Sequence, residues 1–307
     1  MPKPVFLVMP EWQGSSSSRA MQISEGAALL REDLPQAARR DIDVPLEAGD
    51  ALGTPVARLS SVLRARDAAR EALEALDPSA STPLIVGGDC ASSLPGLEAA
   101  LRAHGSDAVA VLWFDAHPDI QHPSTSPSGA ASGMTLRHAL GDGAPDLAAS
   151  PPLPPALLTL VGTRAIDDEE DAELERLGIR VLAPHDGALE RGAAAAAPET
   201  GVPAPSPDPE ALGARVAELL AASGARSVYV HVDLDVLDPA EFSAVHAPVP
   251  FGLSTAQLTH AIRAAVAALP LAGAAICEFA PADERAAAED LPTVLRILAA
   301  LTSGGAA

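Results

Sequence analysis

Residues 108–120 read AVAVLWFDAHPDI. Seven uncharged, apolar residues in a row are the pattern of a strand buried on both faces. The run then stops at Asp115, His117 and Asp119, spaced i, i+2 and i+4. On an extended chain that spacing points all three to one side. A buried strand ending in a one-sided polar run marks a ligand site at the C-terminal edge of a parallel sheet.

Working outward, the same kind of apolar run recurs at 4–9, 83–86, 157–162, 178–182, 227–234 and 273–279. Amphipathic stretches lie near 55–76, 91–103, 168–177, 208–222, 254–268 and 282–301. Buried strands alternating with helices predict an α/β fold, a sheet covered on both faces. No internal repeat interrupts the rhythm. Two stretches do break it, the Pro- and Gly-rich 141–156 and the low-complexity 186–209, which we read as loops. The pattern resumes beyond both, which predicts one domain over residues 1–307.

Composition narrows the function classes. With 20 basic against 41 acidic residues, the formal net charge is −21. That field repels phosphate backbones and anionic bilayers, so nucleic acid and membrane are not expected partners, whereas cations are favoured. Two cysteines, Cys90 and Cys277, do not make a disulfide framework and fit a reducing compartment. No stretch approaches the ~20 apolar residues of a membrane span. The N-terminal apolar run is shorter than a signal-peptide core. A soluble, cytoplasmic protein is the expectation.

Four predicted strands end in chemistry: Asp89-Cys90 after LIVGG, Asp115-x-His117-x-Asp119, Asp233-x-Asp235 in HVDLDVLDP, and Glu278 in CEFAP. Carboxylates converging on one pocket repel each other unless a cation neutralises them, and a divalent ion or a pair of ions is the natural solution. Oxygen-rich donors with one imidazole suit Mn²⁺ or another hard ion better than a structural zinc.

In this order the motifs Gly-Gly-Asp, Asp-Ala-His-x-Asp, Asp-x-Asp-x-x-Asp-Pro and a strand ending in Glu resemble the ureohydrolase family of arginases, agmatinases and related amidinohydrolases. ISEGAALLRE (23–32) and VGTRAIDDEE (161–170) resemble two further family segments. The resemblance implies a three-layer α/β/α fold with a mainly parallel central sheet. It also implies a centre of one or two manganese ions, Zn²⁺ or another divalent ion being possible, and homo-oligomers, usually trimers or hexamers. Carried over by position, Cys90 and Asp119 belong to the first ion, His117 and Asp235 complete the second, and Asp115 and Asp233 bridge them. Glu278 holds the guanidinium or amidinium of a small cationic substrate. Ser128 and Asp167 fall where arginases contact the amino-acid end, although Asp167 also reads as a helix N-cap.

Four positions depart from the family pattern, among them Ala130, which stands for an asparagine. Cys90 stands where a histidine binds the first metal; it is read either as a ligand or as a small buried hydrophobe. Ser132 replaces the histidine that shuttles a proton to the leaving amine, and a serine hydroxyl is no acid near neutral pH. His122, His138 and His246 are candidates to compensate, each otherwise an ordinary loop or surface histidine. Ala165 stands for an aspartate.

The expected activity is hydrolysis of a C–N bond in arginine, agmatine or an Nω-hydroxy-arginine type of compound, by attack of metal-bound hydroxide, with Asp119 and Glu278 as catalytic residues. A cysteine at the first ligand is also associated with family members acting on Nω-hydroxy-arginine. The alternatives are a non-catalytic binding or regulatory member of the family and a mononuclear zinc amidohydrolase.

Overall fold

The computed structural model describes residues 2–183 and 208–305. Its strands are β1 (Lys3–Val8), β2 (Arg39–Asp41), β3 (Ser81–Val86), β4 (Val109–Phe114), β5 (Leu158–Val161), β6 (Arg180–Leu182), β7 (Ser227–Asp233) and β8 (Leu271–Cys277). They form one sheet in the order β2-β1-β3-β8-β7-β4-β5-β6. Every pairing is parallel. The expected strands are therefore found, and the sheet is parallel throughout rather than mainly so. Strand β2 is an addition: three residues, Arg-Arg-Asp, at a sheet edge, with no apolar signal to predict it.

Alternation of side chains along each strand divides the core between two faces. On one face Leu112, Phe114, Val230 and Val232 pack with Leu30 of α1 (Met21–Asp33), Val216 of α6 (Pro209–Ser223), Ile262 of α7 (Thr255–Ala268) and Ile297 of α8 (Glu284–Leu301). On the other, Val111, Trp113, Leu158 and Tyr229 pack with Val62 of α2 (Leu59–Glu74), Leu97 of α3 (Ser93–His104), Leu136 of α4 (Thr135–Ala139) and Leu174 of α5 (Asp168–Leu177). The result is helix, sheet, helix. Each fully buried Val or Leu stabilises this arrangement by roughly 1.5–3 kcal/mol. The buried Arg66–Glu98 ion pair ties α2 to α3, and Arg66 Nη1 also donates to the Asp146 carbonyl at 2.6 Å.

Helices α1 and α4 are additions to the predicted set. The first lies in ISEGAALLRE, noted only as a motif, and the second spans five residues. Residues 141–156 run as turns up to β5, as expected of a loop. Of the 186–209 stretch, all but two residues lie outside the described residues; Asp208 caps α6 and Pro209 opens it. No described helix is long and apolar enough to cross a membrane.

The strand order positions the chemistry. Strands β3, β8, β7 and β4 are consecutive in the sheet, so their C-terminal ends stand side by side. At the end of β3 the chain turns through Gly87 (φ 86°) and Gly88 (φ 85°). A Cβ at Gly87 would sit 2.4 Å from Ala27 Cβ, and one at Gly88 2.7 Å from the Met9 carbonyl oxygen. Only glycine accepts both the left-handed backbone and the close approach. Asp89 then caps the short helical turn Cys90–Ser92 by accepting from Ala91 N at 3.0 Å, which fixes Cys90 at the sheet edge.

Candidate metal centre

Three groups of donor atoms form at this edge, the atoms of each lying within 4.8 Å of one another. The first is Cys90, Asp115, Asp119 and His231. The second is Asp115, His117 and Asp235, and the third Cys90, Asp233 and Glu278. The six residues read from the sequence as metal ligands thus come together from β3, β4 and β7, with Cys90 and Asp115 each common to two groups.

Local hydrogen bonds hold the acids in place. Asp115 Oδ1 accepts from His117 N at 2.7 Å, and its Oδ2 accepts from Trp113 Nε1 at 3.0 Å. Asp233 Oδ1 accepts from Asp235 N at 2.8 Å, while Asp235 Oδ1 accepts from Ala116 N at 3.1 Å, linking the ends of β4 and β7. His117 Nδ1 lies 3.0 Å from Asp235 Oδ2 and 3.6 Å from Asp115 Oδ1. The Cys90 thiol donates to Asp233 Oδ2 at 3.1 Å.

Arg164, the arginine of VGTRA, clamps the turn after β7 from behind. Its guanidinium donates to the carbonyls of Asp235 (2.9 Å) and Val249 (2.7 Å), and to Gly162 (2.9 Å) and Pro250 (3.1 Å). Two ligand-bearing or cleft positions carry left-handed backbones that are unusual outside glycine: Asp119 (φ 50°) and Glu278 (φ 66°). Such strain, about 1–3 kcal/mol each, concentrates at functional sites.

Electrostatically the cluster holds more carboxylates than its one charged imidazole can balance. Asp115, Asp233, Asp235 and Asp119 are all buried. Burial, then repulsion by Asp235, pushes Asp115 up to about 6. Burial and neighbouring carboxylates push Asp119, Asp233 and Glu278 well above the usual range. Burial opposes the charge on His117, but its contacts with Asp115 and Asp235 prevail and raise it to about 11. Among the described residues, ion-pair contacts to these aspartates come from His117 and His231 and from no lysine or arginine. Asp119 Oδ2 is buried with no partner at all. An orphaned carboxylate oxygen beside crowded acids is the environment a divalent cation satisfies, so the residues present fit such ions.

The cluster floors a cleft of about 490 Å³. Cys90, His117, Asp119, Asp233, Asp235 and Glu278 line it, as do Ser128 and Ser132. Its mouth includes Ser15 to Arg19, held by Arg58 Nη1 donating to the Ser15 carbonyl at 2.8 Å. Asp167 faces an adjoining cavity and caps α5, accepting from Glu169 N at 3.0 Å and Glu170 N at 2.8 Å; of its two sequence readings the N-cap is the one seen. Glu170 lines both cavities. Of the three histidines proposed to stand in for the missing shuttle, His246 lines the cleft, its Nε2 3.1 Å from Gln22 Oε1. His122 faces the adjoining cavity, and His138 is buried in the core behind.

Sequence reasoning missed His231 and Glu170. The signal for His231 was present: it stands two residues before Asp233, on the same face of the strand, inside the very motif from which only the acids were counted. Glu170 was legible as the third residue after Asp167, the spacing of a capping box, which the structure shows.

A family model described as the arginase family matches residues 12–293. An Nω-hydroxy-L-arginine amidinohydrolase of Streptomyces lavendulae is 29% identical over 302 residues, covering 96% of this chain and 97% of that protein. An arginase of Bacillus caldovelox is 27% identical over 251 residues, covering 78% and 75%. Among solved structures, Entamoeba histolytica arginase in complex with L-ornithine superposes with a TM-score of 0.79 at 22% identity, covering 98% of both chains. Proclavaminate amidino hydrolase from Streptomyces clavuligerus gives 0.66 at 22% identity, over 99% and 90%.

Proposed function

We propose that this chain, which belongs to the arginase family, hydrolyses a C–N bond of a small guanidino compound, with an Nω-hydroxy-guanidino amino acid as its substrate class. The observation that carries this reading is the set of buried acids gathered with Cys90 and His117 at one sheet edge, flooring a cleft. Cys90, Asp115, His117, Asp119, Asp233 and Asp235 would hold one or two divalent ions, with Mn²⁺ the expected metal. Such ions supply a water nucleophile at neutral pH and Lewis acidity at the reacting carbon.

The chain's own residues do the rest. Glu278 presents a half-buried carboxylate beside Asp233, where a planar cation entering the cleft gains a charge-assisted, two-pronged contact. Ser128 and Glu170 line the rim, suited to the polar end of an amino-acid substrate. Water adds to the guanidino carbon, the bond from that carbon to the chain nitrogen breaks, and the nitrogen leaves with a proton. For a hydroxyguanidine the products are an amine and hydroxyurea.

Two features favour the hydroxyguanidine class. Ser132 offers no acidic proton, so a more reactive substrate relaxes the demand on a shuttle. The relative from Streptomyces lavendulae, aligned over nearly its whole length, carries that substrate in its name.

The test is product release from metal-loaded protein over a panel of arginine, agmatine and Nω-hydroxy-arginine, scored for urea and hydroxyurea. Hydroxyurea release that is lost on chelation supports the reading. A wild-type protein silent on the whole panel that gains turnover as Cys90→His/Ser132→His would instead be a non-catalytic family member.

A further inference from the structure

His231 has no place in the ligand set read from the sequence, yet it is fully buried in the floor of the site. It pairs in register with Trp113 across β7 and β4 and stacks on the indole, ring centroids 3.5 Å apart and planes 9° apart. That stack fixes the ring's plane. Its Nε2 lies 3.6 Å from Cys90 Sγ and 4.0 Å from Asp115 Oδ2, and Nδ1 has no partner. All of its polar contacts therefore run toward the cluster. The fourth member of that group, Asp119, contributes the buried carboxylate oxygen left without a partner.

Four donors from β3, β4 and β7 within 4.8 Å of one another match the span of a single coordination sphere, whose bonds are about 2.0–2.3 Å for zinc. Their chemistry differs from that of the neighbouring group by one donor. Each set holds two carboxylates and one imidazole, and the first adds the sulfur of Cys90. A thiolate beside an imidazole selects zinc and similar ions, whereas carboxylate-rich sets without sulfur suit manganese.

We propose that His231 is a ligand of the first cation position and that, with Cys90, it makes that position selective for a zinc-like ion beside a manganese-type position formed by Asp115, His117 and Asp235. This rests on the reading of the cluster as a cation centre. It assigns Cys90 a partner: the imidazole displaced from the end of β3 is supplied from β7, two strands away in the sheet and one pleat lower.

The protein is stripped with chelator and titrated with Zn²⁺ and with Co²⁺ as a spectroscopic probe. The first Co²⁺ bound should show a sulfur-to-cobalt charge-transfer band. His231→Phe, which keeps a ring to stack on Trp113, should weaken that ion's binding by about 100-fold or more, beyond the loss typical of a second-shell change. Mn²⁺ binding at the second position should change little. Zinc-edge absorption of wild-type protein loaded with one Zn²⁺ provides a measurement independent of any variant, and should find both sulfur and imidazole in the shell. Zinc held by sulfur without imidazole, or a His231→Phe protein with affinity within about threefold of wild type, makes His231 a packed core histidine and overturns the assignment alone. Absence of any bound ion overturns both it and the cation-centre reading.

Discussion

The Cys90 sulfur lies 3.1 Å from Asp233 Oδ2, both side chains buried, so the glycine-turned end of β3 meets the end of β7 at one point. Asp233 also accepts from Asp235 N, which joins it to the second group of donors. Replacing Asp233 with alanine should therefore weaken both cation positions. We expect at least a ~100-fold loss of metal affinity, more than a second-shell change gives, with hydrolysis lost in parallel. Calorimetric metal titration of Asp233→Ala checks this; unchanged affinity would remove Asp233 from the centre.

Glu278 separates binding of substrate from binding of metal. Held at φ 66° beside Cys90 and Asp233, its carboxylate faces the cleft. Glu278→Gln keeps the shape and removes the charge. Losing one partner of a buried charge pair costs about 2–5 kcal/mol, so kcat/KM should fall by roughly 30-fold or more, with metal content unchanged. Loss of metal from this variant would make Glu278 a ligand instead.

Arg164 is predicted to act through the backbone. Its guanidinium gathers the carbonyls of Asp235 and Val249, among others, and so holds the turn that carries Asp235. Hydrogen bonds to charged groups contribute roughly 1.5–3 kcal/mol. Arg164→Ala should lower unfolding free energy by at least about 2 kcal/mol and weaken metal binding, although it touches no ion. Urea unfolding and metal titration on the same sample test the pair of effects; intact stability would contradict the clamp.

Metal-free protein should be more stable near pH 6.5 than near pH 8.5. Burial raises Asp89 and Glu170 to about 7 and Asp119, Asp233 and Glu278 well above their ordinary values. Across this range the folded chain thus holds protons that the unfolded chain has released, and stability falls as pH rises. His117, raised to about 11 by the contacts that outweigh its burial, adds stability that is present below its ordinary value and lost on the same upward path. Below pH ~6.5 the trend is opposed, because burial drives His138 down to about 3 and His231 well below its usual value, and neutral burial of both is lost as they charge. Thermal melts in chelator across pH 6–9 check the slope, and added Mn²⁺ should flatten it. A melting temperature that rises toward pH 8.5 without metal would contradict this electrostatic account.

Long apolar runs and their polar ends were enough to read the parallel sheet and seven of the eight clustered donors, Glu278 among them. Strand β2 was not legible because Arg39–Asp41 carries no apolar pattern and pairs only at an edge. His231 escaped because an imidazole inside an apolar strand looks like core until its neighbours across the sheet are known, and Trp113 and Cys90 become its neighbours only through strand order. Asp167 was ambiguous by nature: one aspartate before an acidic helix serves equally as cap or contact, and its hydrogen bonds to Glu169 N and Glu170 N show the cap. The role of Arg164 depends on carbonyls up to 86 residues away in sequence, which no local pattern records.

In the proposed centre, the acids at the ends of β4 and β7 close around divalent cations together with Cys90. Anomalous scattering from crystals of metal-loaded protein tests it most directly, recorded at the zinc and manganese edges. One peak is expected among Cys90, Asp115, Asp119 and His231 and a second among Asp115, His117 and Asp235. Crystals that soak in both metals and show no peak at this sheet edge would contradict such a centre.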